Sequence, residues 1–362
     1  MEILGHYLCP RKTRKDLEIE LQYSYRHLRM QEFDASKYVC KIISKGSNAE
    51  IKRIMNEIQE EWHSNIRNHT IALLTERFPE RLTKYGCRIV DFENAILNNK
   101  DDFDKLNVDN FLRMVFESHY NKAVVNMVTT KMAKMREWEV HSPSGLSALM
   151  VVLQQTKPKG LTLQFIDQTS VSTSLTGYLA NITKYHLTFR LMLPKTPLDE
   201  NPSSSPTAAV HDAFLSAATL PGDNTTLKWF SGFLSRTGIQ QLPPSLTYLR
   251  VGLSSEDLQR LFLRILRIKE LKYLVISMRC SNIENVVNLG KLQTTLDLTN
   301  IGIALYGAEE TDLPHIATLV QRCFTGAPLH LWLHEANITG DGAAQLLQLL
   351  CNHNVKCKEI KI

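Results

Sequence analysis

The chain has 362 residues, of which 43% are hydrophobic and 22% are charged, and its formal net charge is +5. This composition is ordinary for a folded protein and excludes a collagen-like or low-complexity chain. No apolar run approaches the roughly 18 to 20 residues that cross a bilayer, and the N-terminus lacks a basic-then-apolar signal pattern. The cysteines are odd in number and scattered, which is typical of reduced thiols. We therefore expect a cytoplasmic protein without membrane contact.

Residues 1–150 carry apolar side chains at helical spacing. Between 51 and 78, and again between 107 and 138, apolar residues recur every three or four positions with charges on the opposite face. Shorter helical candidates cover residues 15–30 and 92–98. Strand alternation is scarce in this part of the chain. We therefore predict an all-helical domain over residues 1–150.

Residues 151–362 alternate between short strand patterns and helical patterns. Where they align best, equivalent leucines are about 25, 22, 35 and 29 residues apart, compared with roughly 20 to 29 for leucine-rich repeats. Prolines and serines at 194–208 predict a loop, or alternatively a domain boundary. The predicted strands contain Leu161-x-Leu163-x-Phe165, Leu187-x-Phe189-x-Leu191, Leu227-x-Trp229, Leu249-x-Val251, Leu274-x-Ile276, Leu296-x-Leu298, Leu329-x-Leu331-x-Leu333 and Ile360-x-Ile362.

The segment 329–347 joins a strand tightly to a helix, because leucine alternates up to Leu333 and apolar residues take helical spacing after Gly342. Its turn, Asn337-Ile338-Thr339-x-x-Gly342-Ala343, resembles a leucine-rich repeat of the ribonuclease-inhibitor type. Such repeats also form the C-terminus of NOD-like (nucleotide-binding) immune receptors, where a helical region precedes them. The resemblance extends over roughly residues 155–362.

The resemblance implies a fold and a role. The implied fold is an α/β solenoid of degenerate leucine-rich repeats (151–362) preceded by an all-α domain (1–150). The repeats are degenerate because Arg279, Ile301 and Ala336 occupy the positions of the family's ladder asparagine. The phosphate loop of the receptors' central module has no counterpart. The implied role is a sensor or adaptor fragment in innate immunity that binds a protein or ligand without catalysis.

The exposed face of the predicted sheet is the candidate binding site. Burial of Leu329, Leu331 and Leu333 places the intervening side chains on the opposite face, which is concave in a solenoid. Column alignment predicts one row of Tyr248, Tyr273, Thr295 and His330, and a second of Arg250, Val275, Asp297 and Trp332. The alternative is that Trp332 only fills space. The predicted binding residues are Tyr248, Arg250, Tyr273, Thr295, Asp297, His330, Trp332, His334 and Glu335.

Catalytic and cofactor motifs are missing from the sequence. Neither G-x-x-x-x-G-K-[ST] nor G-x-G-x-x-G occurs, and no G-x-S-x-G or H-E-x-x-H pattern is complete. Cys351, His353 and Cys357 form the best metal candidate, but a fourth ligand is lacking and core packing explains both cysteines. The basic run at 11–15 has no interleaved aromatics. We therefore expect neither enzyme activity, cofactor, metal nor nucleic acid.

Two other functions stay open at this point. One is a substrate-recognition subunit of a ubiquitin ligase, in which the helical half would dock the machinery, although no Leu-Pro start of the F-box kind precedes Phe78-Pro79. The other is an enzyme whose site is assembled from scattered residues, because catalytic groups converge in space rather than in sequence.

Overall fold

A computed structural model describes residues 17–60, 63–96, 106–164, 173–182, 185, 187–193, 206–219, 227–281, 283–290, 297–355 and 357–362. The chain forms two compact units, Met1–Lys159 and Gly160–Ile362. Phe165, Thr295, Leu296 and residues 194–205 of the predicted loop lie outside the described residues. The end of that predicted loop, from Pro206, belongs instead to a helix.

Helices dominate the first unit. They are α1 (Leu17–Lys45), α2 (Asn48–Glu57), α3 (Ser64–Arg77), α4 (Pro79–Ile96), α5 (Asp109–Glu117), α6 (Lys122–Met132) and α7 (Pro143–Leu153), with the strands β1 (Leu106–Asn107) and β2 (Glu137–Val140) between them. The two strands pair in parallel, with Leu106 opposite Trp138.

Local capping determines where two helices of this unit begin, and one of these caps interrupts the long pattern at 107–138. Ser47 and Glu50 form a capping box that begins α2, and Asn121 accepts the N–H groups of Ala123 and Val124 to begin α6. Just before Asn121, His119 and Tyr120 have φ values of 50° and 59°, which end the preceding helix. The apolar periodicity therefore continues across two separate helices.

An all-parallel sheet forms the second unit. Its strands are β3 (Gly160–Gln164), β4 (Thr188–Met192), β5 (Leu227–Phe233), β6 (Tyr248–Gly252), β7 (Tyr273–Arg279), β8 (Asn300–Tyr306), β9 (Leu329–His334) and β10 (Cys357–Lys361), and each pairs with the next in the chain. The connecting helices are α8 (Thr173–Ile182), α9 (Pro206–Ala218), α10 (Arg236–Gln241), α11 (Leu258–Ile265), α12 (Leu313–Cys323) and α13 (Gly340–Asn352).

The predicted fold class, a leucine-rich-repeat solenoid behind an all-α domain, is wrong. The first unit includes two paired strands, and the strands of the second unit form an α/β sheet whose connections are not equivalent. After β7 the connection described is a 3-10 helix, Ile283–Asn288, whereas α13 follows β9 with 13 residues. Alternating strand and helix patterns are common to all parallel α/β folds. The leucine spacing therefore did not distinguish a leucine-rich-repeat solenoid from other folds of this class.

The core of the second unit lies between one face of the sheet and the helices. Phe230, Leu249, Leu274, Ile301 and Leu331 are fully buried on that face, one from each of five neighbouring strands. Side chains alternate along a strand, so their chain neighbours point to the opposite face. This opposite face carries the candidate site.

Candidate functional site

An aromatic row crosses the exposed face of the sheet. Trp229, Tyr248 and Tyr273 are register partners on β5, β6 and β7, and Arg190 of β4 is the partner of Trp229. We call these four residues the aromatic row. Tyr273 is 43% exposed, whereas the other three are partly buried. The row therefore presents its most accessible ring at one end.

The rings of the aromatic row contact one another. The ring centroids of Trp229 and Tyr248 are 3.7 Å apart with an interplanar angle of 22°, and those of Tyr248 and Tyr273 are 6.1 Å apart. The Arg190 guanidinium lies 5.2 Å from the Trp229 ring. Aromatic pairs contribute about 0.5–1.5 kcal/mol beyond their burial, and an exposed cation–π contact about 0.5–1 kcal/mol. These contacts hold the row in one arrangement.

Two ion pairs involve lysines that are chain neighbours of residues in the aromatic row. Lys228, next to Trp229, pairs with Glu270, and Lys272, next to Tyr273, pairs with Asp297. The hydrogen bond from Lys272 holds the pKa of Asp297 below its usual value, and both carboxylates are well exposed. Burial raises the pKa of Tyr248, so its hydroxyl stays protonated. The three rings of the row are therefore uncharged, and Arg190 is its charged member.

A second group of rings lies toward β10. The ring centroids of His330 and Trp332 are 5.7 Å apart, and those of Tyr306 and His334 are 4.7 Å apart. The Nδ1 atom of His330 is 3.2 Å from the Glu359 carboxylate. Hydrogen bonds from Lys361, and then from His330, lower the pKa of Glu359. Each histidine of the segment at 329–347 that lies on β9 therefore stacks on an aromatic ring, His330 on Trp332 and His334 on Tyr306.

Part of the Trp332 ring covers Gly302. A Cβ atom at Gly302 would lie 2.6 Å from Cζ3 of Trp332, so only glycine fits beneath the ring. Trp332 and His330 are partly buried, whereas His334 and Glu335 are exposed, with Glu335 in the left-handed region at φ 55°. The alternative interpretation of Trp332 as a space-filling side chain therefore accounts for part of its contacts.

The two predicted rows are wrong from β8 onward. The register places Asn300 opposite Tyr273, and it places His330 opposite Gly302 in the row of Arg250 and Val275. Trp332 lies one row further on, opposite Ala304. The predicted strand at Leu296-x-Leu298 is wrong because β8 begins at Asn300.

Asp297 leaves the predicted face for this reason. Thr295 lies outside the described residues, and Asp297 precedes β8 with its side chain 88% exposed. Tyr248, Arg250, Tyr273, His330 and Trp332 do share one face of the sheet, as predicted.

Sequence reasoning missed Trp229 and Arg190. The pattern Leu227-x-Trp229 implies that Leu227 and Trp229 are both buried. The register between β4 and β5 is irregular, however, because Leu227 pairs with Phe189 and Trp229 pairs with the next residue, Arg190. Phe230 then takes the buried position and Trp229 faces outward. The consecutive apolar residues Trp229 and Phe230 were the available signal of an irregular strand.

Within the described residues, His, Cys, Asp and Glu side chains form no group of three that could hold a metal ion. Cys351 is exposed near the end of α13, and Cys357 is half-buried at the start of β10. Of the described helices, none is long and apolar enough to span a bilayer.

Comparisons with models of protein families and with curated proteins found no match to this chain. The resemblance to NOD-like immune receptors therefore rests on the segment at 329–347 and stays a prediction.

Proposed function

We propose that this protein is a non-catalytic recognition protein that binds a protein partner through the exposed face of its parallel sheet. The aromatic row is the observation that carries the proposal. Tryptophan, tyrosine and arginine are the residue types most enriched at the energetic centres of protein interfaces, and the row combines all three on neighbouring strands.

The size and surroundings of the row favour a protein over a small ligand. Its four strands, spaced about 4.8 Å apart, give it a width of about 14 Å. The row lies along one face of the sheet, and its ring at one end, Tyr273, is exposed. Small-molecule sites are concave, whereas a row of rings along one face of a sheet is a surface that a protein partner can cover.

The packed rings also reduce the cost of binding. A side chain that must be immobilised on association costs about 0.5–1.5 kcal/mol. Trp229 and Tyr248 are already stacked on each other, and Arg190 lies against the Trp229 ring. Little further ordering is needed when a partner covers Tyr273.

We propose that this recognition protein is a sensor or adaptor, because the segment at 329–347 resembles a repeat of NOD-like immune receptors.

We also propose a cytoplasmic location. Cys40, Cys280 and Cys323 are buried and free, and burial raises their thiol pKa values to about 11, about 12 and about 12. Free thiols are the common state in a reducing compartment.

Site-specific photo-crosslinking tests the proposal. A benzophenone amino acid is placed at Tyr273 in the full chain, and the matched control carries it at Leu347, an exposed residue of α13. After irradiation in a lysate of the native cells, we expect a discrete adduct from position 273 that Trp229→Leu removes. Identical adducts from both positions, or an adduct that survives Trp229→Leu, would contradict the proposal.

A further inference from the structure

A groove of about 440 Å³ lies between α10 and α11. Its lining residues are on these helices and the turn after α11, and none belongs to the aromatic row. Its walls combine apolar and positively charged side chains. They are Ile239, Gln240, Arg260, Leu263, Arg264 and Arg267.

The three arginines of the groove share one side of α11 and the turn that follows it. Arg260 and Arg264 are four residues apart, and Arg267 follows at the next helical step. Arg264 is fixed, because its Nε donates to the carbonyl of Leu242 at 3.0 Å. Burial, and then the positive charge of Arg267, lowers the pKa of Arg264. The groove therefore concentrates positive charge.

One carboxylate contacts the arginines of the groove. Arg260 lies 3.5 Å from Asp257, a buried carboxylate that Arg236 also contacts. Within the described residues, the Arg267 side chain has no ion pair or hydrogen bond. Guanidinium groups bind carboxylates through paired N–H donors, so Arg267 is available for an external carboxylate.

Leu263 gives the groove an exposed apolar centre. Its side chain is 57% exposed, whereas the apolar stripe of α11, formed by Leu258, Leu261, Phe262 and Ile265, is buried. Leu263 follows Arg260 by three residues and precedes Arg267 by four, so the arginines lie on both sides of it along the helix.

We propose that this groove binds an acidic segment of a protein partner in which carboxylates flank an apolar side chain. The carboxylates would pair with Arg260 and Arg267, and the apolar side chain would cover Leu263. A bilayer is a poorer match, because interfacial helices present several apolar residues and α11 exposes one. Single-stranded RNA is also a poorer match, because the groove lining has no aromatic ring for base stacking.

The probe is a fluorescein-labelled peptide in which glutamates flank a central leucine, titrated with the full-length protein by fluorescence anisotropy. A second peptide has glutamine in place of each glutamate. We expect saturable binding of the glutamate peptide that weakens as salt is raised, and binding of the glutamine peptide at least about tenfold weaker. Equal affinity for the two peptides, or no saturable binding, would overturn the proposal.

Three variants locate the binding. Arg267→Gln should weaken the glutamate peptide about tenfold and Leu263→Ser about fivefold, and both positions are exposed, so the fold should survive. Lys269→Gln is the control, because it removes one exposed positive charge outside the groove lining. Equal weakening by Lys269→Gln and Arg267→Gln would overturn the proposal.

Phosphatidylserine vesicles and oligouridylate serve as competing probes. If one of these probes binds and depends on Arg267 in the same way, while the peptide does not bind, the ligand of the groove is a lipid or RNA and the proposal is overturned. The groove shares no residue with the aromatic row. The result for Arg267→Gln is therefore independent of any adduct at Tyr273.

Discussion

The buried histidine His211 of α9 should make the protein less stable in mild acid. Its side chain is 1% exposed, and its Nδ1 accepts the N–H of Phe233 at 2.7 Å, at the end of β5. Burial lowers the pKa of His211 to about 4, against a usual value of 6.5. Protonation of Nδ1 would also break the bond from Phe233. The folded protein therefore holds this histidine neutral.

The sign and size of the effect follow from that difference. Between pH 6.5 and 4 the unfolded chain binds a proton at His211 that the folded chain does not, so stability falls as the pH falls. At 1.36 kcal/mol per pH unit, the loss is about 2 kcal/mol at pH 5 and about 3 kcal/mol at pH 4. Above pH 7 this histidine contributes no pH dependence.

Chemical denaturation at several pH values, compared between the wild type and His211→Asn, measures the effect. The asparagine oxygen can accept the Phe233 N–H, but the side chain does not titrate. The variant should lose less unfolding free energy than the wild type between pH 7 and pH 4, by about 3 kcal/mol. Parallel stability curves for the two proteins would refute the reasoning.

Three further predictions concern side-chain packing and hydrogen bonding. Gly302→Ala should displace the Trp332 ring and cost about 1–3 kcal/mol of unfolding free energy; unchanged tryptophan emission would contradict this. In a double-mutant cycle, Trp229→Leu and Tyr248→Leu should show a coupling of about 0.5–1.5 kcal/mol, and additive effects would mean that the stacked rings do not interact. Asp109→Ala should cost about 1–3 kcal/mol, because its carboxylate accepts two backbone N–H groups at the start of α7; unaltered hydrogen exchange there would argue otherwise.

The strands that alternate regularly were predictable from the sequence. On β6 and β9 leucine or valine alternates with polar or aromatic residues, and both strands lie where the pattern places them. β8 was misplaced because its residues from Ile301 to Leu305 are all buried, so it has no alternation. The burial of Gly302 depends on Trp332 from another strand, which is a tertiary contact that no local pattern encodes.

The candidate site was predictable only in part, for the same reason. Tyr248 and Tyr273 face outward on regular neighbouring strands, and their pairing follows from the leucine positions. Trp229 was missed because the register shift on β5 reverses the inward and outward positions. A one-residue slip exchanges the two faces of a strand, so irregular strands hide their surface residues from sequence reasoning.

The proposed binding face is tested most directly by measuring how tightly the partner crosslinked at position 273 binds to three purified proteins. The proteins are the wild type, Tyr273→Ala and the control Leu347→Ala, with titration calorimetry as the measurement. A residue at the energetic centre of an interface contributes about 2 kcal/mol or more, which corresponds to about a thirtyfold loss of affinity. We predict that loss for Tyr273→Ala and near wild-type affinity for Leu347→Ala. Equal affinities for all three proteins would contradict binding through the aromatic row.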